Sequence, residues 1–294
     1  MKHSYERKKS YFGYVFISIW FIGFVFLFLI PFINTIRYSL SSVTISTGSL
    51  DLQSVGIKNY SDLFFVNSEF LPAFTDTLAS VAVTTPLIII FSMFMAVVLN
   101  QSFKGRTFFR MALFIPVIIS SGIALDILNN NYFLGLIASG SRNNALFGTS
   151  SINDAMLAAG ISQNTVDSIE NTVQTIFQLV WNSGIQILIF IAGLQSISPS
   201  LYEVAHVEGA DGWTTFWKIT VPMLAPMMIV NIFYTIVDNM ISYSNPMFKL
   251  IDQYTKNLEF DVVAAMAILN FFVLLIAIVI VYVIGNRFVH YSVD

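Results

Sequence analysis

Two sets of polar side chains recur at regular spacing within otherwise apolar sequence. Gln174, Gln178 and Asn182 repeat every four residues with Trp181 beside them, and Asn231, Tyr234, Thr235, Asp238 and Ser242 follow an i, i+3, i+4, i+7, i+11 pattern. On a helix each set shares one face. Amides, hydroxyls, a carboxylate and aromatic rings together suit a polyhydroxylated molecule, whose hydroxyls pair with amides and carboxylates and whose C–H faces stack on rings. The same groups also bond neighbouring helices to one another, at about 1 kcal/mol or less each inside a bilayer. Both uses stay open from spacing alone. Other chemistry is sparse: the sequence has no cysteine, and its three histidines, His3, His206 and His290, lie far apart. Disulfides and thiolate nucleophiles are excluded, and no histidine or cysteine ligand spacing for a metal occurs.

The elements that must position these groups are membrane helices. Of 294 residues, 56% are hydrophobic and only 11% charged, less than half the roughly 25% charged content of a soluble domain, and mean hydropathy is +0.74. The charges collect in short segments between long apolar runs, which is the layout of a polytopic membrane protein. Six runs reach the ~20 residues needed to cross a bilayer, and they predict an all-α, single-domain fold with helices at roughly 11–40, 75–101, 108–129, 171–195, 221–246 and 261–287. The first run is too long and bulky for a cleavable signal. With the N-terminus inside, Lys2, Arg7, Lys8, Lys9, Lys104, Arg106, Arg110, Lys218 and Arg287 face the cytoplasm, against five basic residues outside. The excess predicts cytoplasmic N- and C-termini. The outer stretches Ser41 to Asp76 and Ser141 to Glu170 are expected to be ordered loops with short helical pieces. A net charge of −3 without a basic face argues against a nucleic-acid partner.

Between the fourth and fifth helices lies a connector, residues 196–222, far longer than the 2 to 8 residues that antiparallel helices need. Pro199 and Ser200 can start a short helix, with Glu203 expected in an early turn at the positive end of the helix dipole. Gly209 and Gly212 permit a sharp redirection, and Trp213, Phe216, Trp217 and Ile219 then return at near-helical spacing toward Pro222. An interfacial helix with tryptophans at headgroup depth would account for the aromatics. It would not call for the ordered run of Glu203, Ala205, Glu208, Gly209, Ala210, Phe216, Ile219 and Pro222.

That run resembles the signature of the permease subunits of binding-protein-dependent ABC importers, which reads Glu-Ala-Ala, an acidic residue, Gly, Ala, then Phe, Ile and Leu-Pro. Val204, Val221 and Glu208 are mild departures from it. Val55 to Tyr60, Asn100 to Arg110 and Ile115-Pro116 are similar to the carbohydrate branch in the maltose-transporter style, so the likeness covers nearly the whole chain. The Thr-x-Gly-Gly-Pro stretch many such subunits carry after helix five is absent, and Asn245 to Lys249 stand in its place.

The resemblance implies a six-helix type I importer permease in the bacterial cytoplasmic membrane. Its implied partners are a second permease, expected to be a different chain although the sequence leaves the pairing open, a pair of ATPases that receive the 196–222 segment as a coupling helix, and an external substrate-binding protein delivering an oligosaccharide. The chain has no Gly-Lys-Ser or Gly-Lys-Thr loop, so it is expected to bind no cofactor and to be no enzyme itself, with ATP and Mg²⁺ on the ATPases. The expected substrate cavity comprises Gln178, Trp181, Asn182, Asn231, Tyr234, Thr235 and Asp238. A rival class, the ion-driven carrier, would use Asp126 and Asp238, the acids inside the apolar runs, as coupling groups.

Overall fold

The computed structural model describes residues 17–46, 49–101, 103–109, 111, 156–242 and 244–288. In chain order they form helix α1 (Ile17–Ser39), a hairpin of β1 (Ser41–Ser46) and β2 (Ser49–Ser54), α2 (Lys58–Phe65), α3 (Phe70–Asn100), α4 (Gln163–Asn182), α5 (Gly184–Ser196), α6 (Pro199–Val207), α7 (Gly212–Thr215), a π turn (Phe216–Thr220), α8 (Val221–Ile241), α9 (Pro246–Lys256) and α10 (Phe260–Phe288). Among the described residues, four helical stretches are long and apolar enough to cross a membrane: Ile17–Ser39, Phe70–Asn100, Gly212–Lys256 and Phe260–Arg287. The bent pair α5 and α6, at 67° to each other, makes a fifth if read as one broken span. Of the expected third helix, 108–129, only Phe108, Phe109 and Met111 are among the described residues, and all three are helical; the rest lies outside them.

Two expectations need correction. The fold is not purely helical, because β1 and β2 pair antiparallel from Ser41↔Ser54 to Ser46↔Ser49. The predicted single helix 171–195 begins earlier, at Gln163, and is interrupted at Ser183. Gln163–Ser168 hold little apolar character, and the hydropathy run therefore understated the helix. The interruption is local: Ser183 turns its hydroxyl back onto the carbonyl of Leu179, a bond that competes with the helix ladder and bends helices, and Gly184 follows.

The chain forms two compact units. In the first (residues 1–81 and 237–279), Leu63 of α2, Phe70 of α3, Met247 and Leu250 of α9, and Ala265 and Met266 of α10 make one apolar core. Asparagines fix its edges. Asn67 Oδ1 accepts from the amides of Glu69 and Phe70 at 2.9 and 3.0 Å and so starts α3, while its Nδ2 donates to Tyr254 Oη at 2.7 Å. Asn245 starts α9 by accepting from Met247 N and Phe248 N, and receives the hydroxyl of buried Thr77 at 2.8 Å. The hairpin is tied down by Asn59, whose amide donates to the carbonyls of Ser39 and Ser41, and by Val43 N donating to Asp261 at 3.3 Å. Along α1, Trp20, Phe24, Phe28 and Phe32 stack at 5.3 to 5.9 Å, and Phe32 meets Phe271 edge-on.

In the second unit (82–236 and 280–294), Ile89, Ala96 and Leu99 of α3, Ile187, Phe190, Ile191 and Leu194 of α5, and Leu224 of α8 form the core. Gly193 lets α5 and α8 approach: a Cβ there would sit 2.9 Å from Leu224 Cδ2 and from Met227 Cγ. On the far side of the contact, a Cβ on Gly285 of α10 would meet Ile229 at 2.7 Å.

Asn245 joins a helix cap to a buried side-chain bond, so Asn245→Ala should lower stability by about 1 to 2 kcal/mol, whereas Asn245→Asp should recover much of it. The thermal midpoint of the purified protein in detergent or nanodiscs reads both.

Candidate functional site

The connector 196–222 is ordered. Ser198 is extended (ψ 129°) and Pro199 opens α6 with its φ already suited to a first turn. Glu203 falls beyond that turn, which contains no acidic residue. The expected interaction with the helix dipole is therefore not available to it, since the effect fades within one turn. Glu203 stands exposed on α6 while Ala205, two residues on, is buried.

The end of α6 explains the spacing of the motif. Gly209 N donates to His206 O at 3.1 Å and Ala210 N donates to Ala205 O at 2.9 Å, the paired bonds of a Schellman ending. Gly209 has φ +77°, the left-handed conformation that glycine adopts without strain. Asp211 then starts α7: extended at ψ 168°, it accepts from Thr214 N at 3.0 Å. Two short helices are thus joined with no free linker between them. Glu208 and Gly209 are exposed and Ala210 half-buried, and a cleft between the two helices is walled by Val204, Ala205, Thr214 and Ile219. Phe216 and Ile219 are half-buried, and Pro222 is exposed at the start of α8. Trp213 and Trp217 meet edge-on at 5.7 Å on the exposed side. Tyr202 links the segment to the unit, because its ring packs on the α3/α5/α8 core and its hydroxyl shares a 3.3 Å hydrogen bond with Thr220.

The polar stripes separate into two groups. Gln178 is exposed and Trp181 and Asn182 half-buried on the last turns of α4; Tyr234 is half-buried on α8. Asn231 and Thr235, by contrast, are 0% exposed. Asn231 Nδ2 donates to the main-chain oxygen of Gln186 at 2.9 Å, and Thr235 Oγ1 donates to Asn231 O at 2.8 Å and accepts from Gln186 Nε2 at 3.3 Å. The sequence offered cargo contact and helix contact as two uses; in this structure these two residues bond α8 to α5. Gln186 escaped notice, although it continues the four-residue series Gln174, Gln178, Asn182. Asp238 belongs to the first unit and is half-buried. Asp126 lies outside the described residues. His206 is exposed on α6, and the described residues hold no cluster of histidine, cysteine and carboxylate fit for a metal.

No protein-family model matches the chain. Individual relatives do. The sequence is 30% identical over 231 residues to the probable ABC transporter permease protein YesP of Bacillus subtilis, covering 77% of this chain and 69% of that protein. It is 31% identical over 220 residues to MsmF, a multiple sugar-binding transport system permease of Streptococcus mutans, covering 74% and 70%. The chain belongs to the sugar permeases of binding-protein-dependent ABC importers. The fold agrees over the whole length: a subunit of a bacterial alginate ABC transporter, solved in complex with an alginate pentasaccharide-bound periplasmic protein, superposes with a TM-score of 0.70 at 17% identity, covering 98% of each chain. This permease is accordingly a multi-pass membrane protein with a transport role rather than an enzyme's.

In the permease's connector, the Thr214 hydroxyl and then the Thr214 amide hold the Asp211 carboxyl below its ordinary value of 3.8. A carboxylate whose folded pKa is depressed stabilises the fold above its unfolded pKa, and the contribution disappears as pH falls through the folded value. Protection of the Thr214 amide from hydrogen exchange, corrected for intrinsic rates, should therefore decline below pH 3.8. In Asp211→Asn, a cap without a charge, it should not follow that course.

Proposed function

We propose that this permease imports an oligosaccharide across the bacterial cytoplasmic membrane, handed over by an external substrate-binding protein and driven by ATP hydrolysed, with Mg²⁺, on a separate pair of ATPase subunits. It pairs with a second permease of a different chain and keeps both termini in the cytoplasm. The observation that carries the reading is the 196–222 segment: an exposed helix opened by Pro199, closed by the Schellman turn at Gly209, and attached to the core through Tyr202. An ATPase that grips α6 moves a rigid piece, and the motion passes through the Tyr202 ring and its bond to Thr220 into α3, α5 and α8. A flexible connector would absorb the same displacement.

An oligosaccharide rather than a single sugar is favoured by the relatives' names and titles. The arabinooligosaccharides permease AraP of Bacillus subtilis is 31% identical over 232 residues, and the alginate transporter's binding protein held a pentasaccharide. Gln178, Trp181, Asn182 and Tyr234 are the side chains open to such a cargo: two amides and two rings, the combination that pairs hydroxyls and stacks sugar faces. Asn231 and Thr235, also expected to line the cavity, contribute from behind by holding α8 against α5.

Reconstituted with all subunits, uptake should require ATP and should persist when proton and sodium gradients are collapsed, also in Asp238→Asn. Glu203→Ala and Gly209→Pro should cut uptake at least tenfold at normal levels of assembled complex; normal uptake in either removes the coupling reading. Trp181→Ala, Asn182→Ala and Tyr234→Ala should each lower the uptake efficiency about 5- to 150-fold, equivalent to about 1 to 3 kcal/mol of lost cargo contact. The proper comparison is Ile276→Ala, at an exposed apolar position. Ile187, 1% exposed, would confound the comparison with a core cavity.

A further inference from the structure

The core of the second unit contains four buried polar atoms that make no hydrogen bond among the described residues: Thr85 Oγ1, Ser92 Oγ, Gln186 Oε1 and Asn231 Oδ1. Gln186 and Asn231 are the informative pair, at 1% and 0% exposure. Their two side chains start from the same contact, because Asn231 Nδ2 lies 2.9 Å from the main-chain oxygen of Gln186. Reversing either amide does not satisfy it. A reversed Asn231 would press its oxygen against that carbonyl. A reversed Gln186 could take the Thr235 proton, now given to Asn231 O, but would leave its own NH₂ facing inward without the acceptor it has now. In either orientation a group remains that needs an outside partner, and in a bilayer core such a group is not left bare.

We propose that Gln186 and Asn231 form a binding site for a hydroxyl donor between α5 and α8, filled by one ordered water while the two helices are packed together. Two carbonyl acceptors match the two protons of a water, and the carbonyls are neutral. A buried water with two or more polar partners is the ordinary way such acceptors are satisfied. Thr85 and Ser92 place two further hydroxyls on the α3 face that carries Ile89 and Ala96, which pack into the same core as Ile187. The same two acceptors would take a hydroxyl of the sugar if α5 and α8 part during transport, and the experiment separates the two sources.

The test is a high-resolution structure of the complete transporter in lipid nanodiscs, with and without sugar, at a resolution where other buried waters are resolved. A peak within hydrogen-bond distance of both Gln186 Oε1 and Asn231 Oδ1 in the sugar-free transporter is the expected result. A peak present only with sugar, continuous with it, keeps the donor site and assigns its occupant to the cargo. No peak in either state overturns the proposal. A second measurement uses thermal midpoints of Gln186→Leu, Asn231→Leu and the double variant. No hydrogen bond joins the two side chains directly among the described contacts, so a shared ligand predicts that the double variant loses clearly less than the sum of the singles. A loss equal to the sum overturns the shared site. Neither readout involves ATP coupling or uptake, so a negative result here leaves the transport reading untouched.

Discussion

The bond from Asn231 Nδ2 to the main-chain oxygen of Gln186 sets how α5 lies on α8, and the rest of the second unit is built on that register. In hydrocarbon, apolar side chains gain nothing from meeting one another in preference to lipid, so helix contacts depend on close packing and on polar bonds. Both are present at one contact: the amide bond at 2.9 Å, and, two turns along α5, Gly193, which removes the side chain that would strike Leu224 and Met227. Ile187 and Phe190 then fall between the two anchors, with Leu194 just beyond the second, and they close the core with Ile89 and Leu99 of α3. A slip of either helix would leave the amide bare and bring a residue with a Cβ into the space that Gly193 leaves for Leu224 and Met227.

The connector that follows α5 inherits its position from that core. The chain bends by 67° from α5 into α6, and α6 is kept from swinging by Tyr202, which packs on the core and bonds to Thr220. The rigidity of the connector comes from backbone bonds at its turns more than from charge. Gly209 in the left-handed region permits the paired bonds from residues 209 and 210 back to 206 and 205, and Asp211 immediately starts the next helix. Glu203 is exposed and outside the first turn, which leaves its carboxylate available to a partner surface rather than engaged in holding α6 together.

The first unit uses a different device for a related purpose. Asparagine caps at Asn67 and Asn245 also reach across to Tyr254 and Thr77, so the ends of α3 and α9 are fixed by the same residues that start them. This gives a physical role to Asn245-Pro246, the departure from the Thr-x-Gly-Gly-Pro pattern: an asparagine that caps and a proline that suits the first turn produce a well-defined start for an amphipathic helix.

Features with a local cause were legible in the sequence. Apolar run length identified α1, α3, α8 and α10, because crossing a bilayer imposes a minimum length whatever the neighbours are. The start and first turn of the 196–222 connector were legible for a similar reason, because Pro199 and Gly209 have conformational preferences that act within a few residues; the cap by Asp211 was not read, since it needed the Thr214 amide in reach. The break at Ser183 depended on a hydroxyl choosing the carbonyl of Leu179 over solvent, and apolar periodicity runs through it unchanged. Spacing showed that Gln178, Asn182, Asn231, Tyr234 and Thr235 lie on helix faces but not what those faces meet. Only the packing of α5 on α8 decided that Asn231 and Thr235 are sealed by Gln186 while Gln178 stays open, since burial is a property of two helices together and neither helix encodes it alone.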